Sequence, residues 1–408
     1  MLKKYALIFL ILILALSLTG CFLFPPRNEF AEWTVMVYLD GDNNLETYGI
    51  QDLNEMEMIG STTDVNIVVQ IDRIPYSVLA GNYQEYADDT SNGNWTTTRR
   101  YYITKDLNPD KISSPLIGDL GELNMGDPTT LIDFTDWAIT NYPAKKYLLV
   151  IWNHGGGFRS LNLAKDIAWD DTNGGDKITM SELEDALSMI SAQIGKNIDI
   201  VGMDACLMAM TEVAYQIKDY ADILVTSEES EPEGGWPYDT ILSQLTSNPS
   251  LTPTQLATNI VDDYIFAYPT TYVTQSAIDL IYIDSLASQL SNLALEIMSD
   301  FSTPKYQYIL AAANSQHYYG DYNFIDLYDF CNKILIYSNS LEVKNIVLSI
   351  QQTLNSAVIK SGYSGVGVSR SRGLSIYFPY YYYDNYYNYT NYARDTKWDE
   401  MLHYLGYL

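Results

Sequence analysis

Two stretches of the chain leave reactive side chains at the ends of apolar runs. They are "IWNHGGGF", Ile151 to Phe158, and "DIVGMDACLM", Asp199 to Met208. The first delivers His154 followed by three glycines; the second delivers Asp204 and, two positions on, Cys206. A thiol and an imidazole within reach of each other can carry out nucleophilic acyl transfer. The imidazole takes the thiol proton and later gives a proton to a leaving amine. The developing oxyanion needs fixed donors, best supplied by backbone N–H groups. Glycine lets the backbone approach a substrate closely, so the N–H groups of Gly155 and Cys206 are the natural donors. His317 and His403, the other histidines, neither follow a strand-like run nor adjoin a glycine loop. Cys206 has three fates open to it: nucleophile, core thiol, or half of a disulfide with Cys331. Phe330, Ile334 and Leu335 around Cys331 suggest a buried helix, which favours a core thiol there.

The elements that must position these residues are legible as short apolar runs. "WTVMVYL" (Trp33 to Leu39), "VNIVVQI" (Val65 to Ile71), "KYLLVIW" (Lys146 to Trp152), "IDIVGM" (Ile198 to Met203) and "DILVTS" (Asp222 to Ser227) do not alternate with polar residues. That is the pattern of strands covered on both faces. Helical periodicity lies between them. Asp127 with Pro128 marks one helix start, and Thr179 with Glu182 reads as a capping box at another. A further helix is expected directly after Cys206, and a helix N-terminus lowers a thiol's pKa. Strand–helix alternation predicts an α/β fold with a mostly parallel sheet flanked by helices. Right-handed crossovers then bring the strand ends carrying His154 and Cys206 to one edge, where ligands of open α/β sheets bind.

The segment "NYQEYADDTSNGNWTTTRRYYI" (Asn82 to Ile103) interrupts the alternation and reads as a hairpin. From about residue 250 long helical patterns dominate, with a late strand, "GLSIYFP" (Gly373 to Pro379), expected to return to the sheet. This divides the folded part into 32–250, bearing the reactive residues, and a helix-rich 251–408. The tract "PYYYYDNYYNYTNY" reads as a tyrosine-rich loop, with a stacked aromatic surface or a sugar contact as alternatives.

The first residues belong to export rather than to the fold. Lys3 and Lys4 precede an apolar run that is short for a membrane span of about 20 residues, and small residues follow, as in a secretory signal. "LTGC" resembles a bacterial lipobox, which implies a signal over 1–20, a lipid on Cys21 and a tether over 21–31. An uncleaved anchor helix is the alternative. The chain carries 51 acidic and 23 basic residues, a net charge of −28. This argues against nucleic acid, whose phosphates are held by Lys and Arg. An acidic field suits cationic substrates, and it also keeps exported proteins soluble.

Taken together, "WNHGGGF", "AWDDTNGGDKITMSELEDAL" and "DIVGMDACLMAMTEVAYQI" resemble the clostripain-like cysteine peptidases, family C11 of the caspase-like clan. "VYLDGDNNLE", "EESEPEGGWPY", "TQSAIDL", "FIDLYDF" and "GLSIYFP" are similar to that family as well. The resemblance implies a caspase-like fold and a His154–Cys206 dyad. It implies that Asp204 lines the primary specificity pocket and pairs with Arg or Lys of a protein or peptide substrate. A carboxylate so placed suits a guanidinium; orienting His154 or capping the next helix are alternative roles. The family's pocket also takes a residue from the loop after the first strand, here Asn43, with Asp42 and Asn44 as alternates. Trp236 in "EPEGGWPY" is expected to wall the cleft, or else to be plain core. Family members are cut internally after a basic residue, here Lys165 or else Arg159. No cofactor is needed for the chemistry. Some members depend on Ca2+; "DD" (Asp170, Asp171) and "DGD" (Asp40, Asp42) could supply oxygens, with no ligand set assigned. The rival reading is an inactive caspase-like surface lipoprotein that serves as a binding or adhesion protein.

Overall fold

The computed structural model describes residues 30–158 and 167–407. Cys21, the signal, most of the tether, Arg159 and Lys165 lie outside the described residues.

Five strands form the parallel centre of one sheet: β1 (Ala31–Gly41), β2 (Val65–Arg73), β5 (Ala144–Trp152), β8 (Ile198–Asp204) and β9 (Ala221–Thr226). Their order is β9-β8-β5-β1-β2. These are the five apolar runs read from the sequence. Along β1 alternate side chains go to opposite faces. Met36 and Tyr38 join one core, and Val35, Val37 and Leu39 join the other. With both faces covered, the strand has no polar face to display. Helices Glu46–Ile59, Tyr238–Ser247 and Pro253–Ala267 cover the second face. Helices Pro128–Asn141, Met180–Ile194, Ile283–Ser299 and Leu341–Ala357 cover the first. The expected caps form: Asp127 accepts from the Thr129 N–H, and Thr179 and Glu182 make a reciprocal capping box.

Antiparallel strands extend the sheet at each side. β3 (Arg99–Tyr102) pairs with β2 and with β4 (Leu116–Asp119). The hairpin expected within Asn82 to Ile103 therefore does not form; the partner of β3 comes from further along the chain. On the other side β10 (Val273–Asp279) joins β9, and β12 (Val358–Ser364) joins β10. Residues beyond 250 thus complete the same nine-stranded sheet. The late strand in "GLSIYFP" does not return to it. It is β13 (Ser375–Tyr377), paired with β11 (Phe324–Asp326) in a separate ribbon. It meets the segment after Cys206 at Ala209, whose carbonyl accepts from the Ser375 N–H at 2.8 Å. A second small ribbon, β6 (Ile167–Asp170) with β7 (Asp176–Ile178), lies near the carboxyl ends of the parallel strands.

The tyrosine tract divides by burial. Tyr383, Tyr387 and Tyr392 are buried, and Tyr387 packs on Phe158 and Tyr377. Tyr381, Tyr382 and Tyr389 are exposed.

Candidate active site

Register sets the site. On paired strands Trp152 of β5 lies opposite Asp204 of β8, and also opposite Leu39 of β1. β5 and β8 end level and β1 runs two residues further, to Gly41, so the loops after the three strands meet at one edge. His154, Asp204 and Cys206 line one cavity of about 170 Å3, together with Leu45, Trp152, Glu231, Glu233 and Gly235.

Gly155 packs directly on the Cys206 backbone. A Cβ there would lie 2.4 Å from the Cys206 carbonyl oxygen and 3.0 Å from its nitrogen, so no larger residue fits without displacing that turn. The Cys206 N–H makes no hydrogen bond among the described residues. Its thiol accepts from the Glu231 N–H at 3.2 Å. Burial pushes the thiol pKa up, and this N–H opposes the shift.

The helix expected directly after Cys206 begins only at Thr211. Leu207 takes a left-handed φ of 64°, which breaks a right-handed helix at its first step. Ala209 then donates to Ser227 and accepts from Ser375. The thiol therefore receives no help from a helix N-terminus. Cys206 and Cys331 are both free, and Cys331 is fully buried. The disulfide reading does not hold.

His154 is half-buried, with Nε2 2.9 Å from Asn44 Oδ1. An amide oxygen only accepts, so Nε2 carries the proton and Nδ1 is left as the basic nitrogen of the neutral ring. The Asn44 amide also lies within hydrogen-bonding reach of the Tyr86 hydroxyl. Asn43, the expected pocket residue, has no free group. It is fully buried, donates to the carbonyls of Asp40 and Trp169, and accepts from the Leu45 N–H. It braces the loop, and Asn44 is the residue that faces the imidazole.

Asp204 is buried at the cavity wall. Its Oδ2 accepts from the Trp236 N–H at 3.1 Å and the Tyr238 hydroxyl at 2.9 Å. Burial raises its pKa to about 6, against these donors and a hydrogen bond from Glu231. Glu231, which the sequence reading missed, is pushed well up by burial and by Asp204. The two carboxyls lie within hydrogen-bonding reach of each other and titrate as a pair. Trp236 does not wall the cavity. Its ring is buried against Gly202, where a Cβ would lie 2.6 Å from it. A flat apolar ring is better placed against a bare patch of sheet than in water. Only its backbone N–H reaches the site, while Trp152 and Leu45 supply apolar lining.

A match to the clostripain family of peptidases covers residues 37–405. The chain belongs to the clostripain family. It is therefore a cysteine endopeptidase, and the inactive binding-protein reading is set aside. Clostripain of Hathewaya histolytica is 28% identical over 421 residues, with 87% of this chain and 77% of that protein covered. Solved structures share the fold. One is a secreted C11 cysteine protease from Bacteroides thetaiotaomicron in complex with an irreversible peptide inhibitor. It has a TM-score of 0.67 at 22% identity, over 91% of this chain and 99% of that one. Another is an inactive zymogen C11 protease from Parabacteroides distasonis, with a TM-score of 0.66 at 19% identity over 92% and 99%. Among the described residues of this clostripain-family chain, no helix is long and apolar enough to cross a membrane.

Proposed function

We propose that this clostripain-family peptidase is exported, is held at the membrane by a lipid on Cys21, and cleaves after Arg or Lys. Cys206 is the nucleophile and His154 its base. The observation that carries the reading is one cavity lined at once by the thiol, the imidazole and a buried carboxyl pair. A cationic side chain entering it meets the carboxyls of Asp204 and Glu231, neither of which is in an ion pair among the described residues.

The chemistry then follows. His154 takes the Cys206 proton, and the Glu231 N–H steadies the thiolate. The sulfur attacks the scissile carbonyl carbon, and the Gly155 and Cys206 N–H groups receive the oxyanion. Collapse breaks the C–N bond, the amine leaves with the proton from His154, and a thioester remains. His154 next deprotonates a water, which releases the acid and restores the thiol. No cofactor takes part in these steps. Asp204 contributes through binding rather than proton transfer. Lys165 is the proposed site of internal cleavage.

Hydrolysis of reporter peptides ending in Arg, Lys or Asp tests the reading. Wild type is expected to cleave the first two, and Cys206→Ala none. Activity surviving that substitution would remove the mechanism. Cys21→Ala is expected to move the protein from the membrane fraction to the soluble one.

A further inference from the structure

We propose that Glu228 and Asp326 hold one proton between them and that this proton fastens the loop carrying the Glu231 N–H, which makes Glu228 a positioning residue for Cys206. The inference rests on the reading of Cys206 as the nucleophile. Glu228 follows β9; Asp326 ends β11 and caps the helix Leu327–Tyr337. The two carboxyls are buried and lie within hydrogen-bonding reach of each other.

Every donor they receive is neutral. Glu228 Oε1 accepts from the Tyr318 hydroxyl at 2.7 Å, and Oε2 from the Gly373 N–H at 2.8 Å. Asp326 Oδ1 accepts from the Asp329 N–H at 2.6 Å, and Oδ2 from the Arg372 N–H at 2.5 Å. Neither is in an ion pair among the described residues. The cations nearby are engaged: Arg370 and Lys333 pair with Asp329, and the Arg372 guanidinium donates to the Ser371 carbonyl. Two carboxylates in contact, out of water and without a cation, cannot both stay ionised. A proton between them turns the repulsion into a hydrogen bond. Burial, then the Asp326 charge, pushes Glu228 well up, and burial raises Asp326 to about 7.

The other groups facing the pair do not replace that proton. Burial pushes the Tyr318 hydroxyl and the Cys331 thiol well up, so both are neutral. Asp329 adds negative charge. Glu229 accepts from the N–H groups of Ser230, Tyr319 and Gly320. His317, bridged to Ile325, has its ring nitrogens 2.7 and 3.1 Å from the carbonyl oxygens of Tyr322 and Ala312.

The path from the pair to the thiol is short. The Glu229 carbonyl accepts from the N–H of Leu207, next to Cys206, and the Glu231 N–H reaches the sulfur at 3.2 Å. On the far side Asp326 belongs to the β11–β13 ribbon. The shared proton thus joins the active-site loop to that ribbon. The folded pair keeps a proton at pH values where the unfolded chain has lost its own. Folding therefore takes up a proton, and the tie is complete in acid and weakens as pH rises through the pair's raised range. Without the proton two buried charges push loop and ribbon apart.

Proton uptake is best measured on the full-length Cys206→Ala protein, where it does not depend on the dyad. Its melting temperature is expected to fall between about pH 5.5 and 8.5, and that of Cys206→Ala with Glu228→Gln to fall by several degrees less. The amide supplies an N–H toward Asp326 and has no proton to lose. His317 and the other buried acids are common to both proteins and drop out of the difference. Asp326→Asn, whose amide oxygen can still cap the helix, is expected to behave alike and decides the matter if Glu228→Gln does not fold. The infrared band of protonated carboxyls near neutral pH is expected to weaken in both. A pH dependence as steep as the parent's in the folded amide variants would overturn the proposal. In the active chain Glu228→Ala is expected to lower kcat/KM on Arg reporter peptides at least about tenfold near pH 6. Glu228→Gln is expected to restore most of that loss and to keep its activity to higher pH than wild type. Equal losses in the two variants would overturn the positioning role. A wild type that cleaves nothing would remove the peptidase reading, and the positioning role with it, while the melting curves still decide the proton.

Discussion

Two groups of buried carboxyls stand on the same edge of the sheet, and they differ in what can reach them. Asp204 and Glu231 border the cavity that holds Cys206, and Asp204 is supplied with donors from Trp236 and Tyr238. Asp42, Asp72 and Asp170 are closed in between β1, β2 and the β6–β7 ribbon, with Asp42 lacking a donor on one oxygen. Burial raises the pKa in both groups. The first lies on a cavity that a side chain can enter, and the second is shut away from it. Equal chemistry thus stands in reach of a substrate at one place and out of its reach at the other.

Substitutions should separate the two. Asp204→Ala is expected to lower kcat/KM on Arg and Lys peptides by about 10²–10³, the cost of leaving a desolvated cation unpaired. An unchanged Arg/Lys preference would move Asp204 to a structural role. Asn44→Ala is expected to lower kcat about ten- to a hundredfold with KM little changed, a part of what a positioned base supplies. Equal loss in KM would mean that Asn44 touches substrate instead. The smallest effect is on pH. With Asp204 at about 6, the carboxylate gains a proton as pH falls, so kcat/KM for Arg and Lys peptides is expected to decline below about pH 6. Tyr238→Phe deletes a donor to the charged form, and should move that limb upward by roughly one unit. A downward move would show that Tyr238 does not stabilise the carboxylate.

The parallel strands were legible because burial on both faces leaves an unbroken apolar run, as in Val65 to Ile71. His154 and Cys206 could be placed side by side because a right-handed crossover between neighbouring strands leaves little freedom. What escaped depends on turn dihedrals. Asn43 and Asn44 are adjacent and alike in sequence, and only the path of the loop after β1 decides which amide turns inward. Glu231 is one of four glutamates in "EESEPEGG", and nothing in its neighbours marks it as the one facing Asp204. The delayed helix after Cys206 turns on the left-handed Leu207, an uncommon state for a branched residue that only the surrounding contacts enforce. The late strand was recognised but not its partner, since "FID" at Phe324–Asp326 is too short to stand out.

The loop that places the Glu231 N–H on the thiol is itself tied down by residues far downstream. Glu229 accepts from the N–H groups of Tyr319 and Gly320. Glu228 accepts from the Tyr318 hydroxyl and from the Gly373 N–H, a partner 145 residues further on. During synthesis the thiol therefore emerges long before the residues that complete its surroundings. A nascent chain carries the Cys206 thiol without its finished surroundings until the segment around Gly373 has been made. Vectorial synthesis thus delays the enzyme's competence, whatever later cleavage adds.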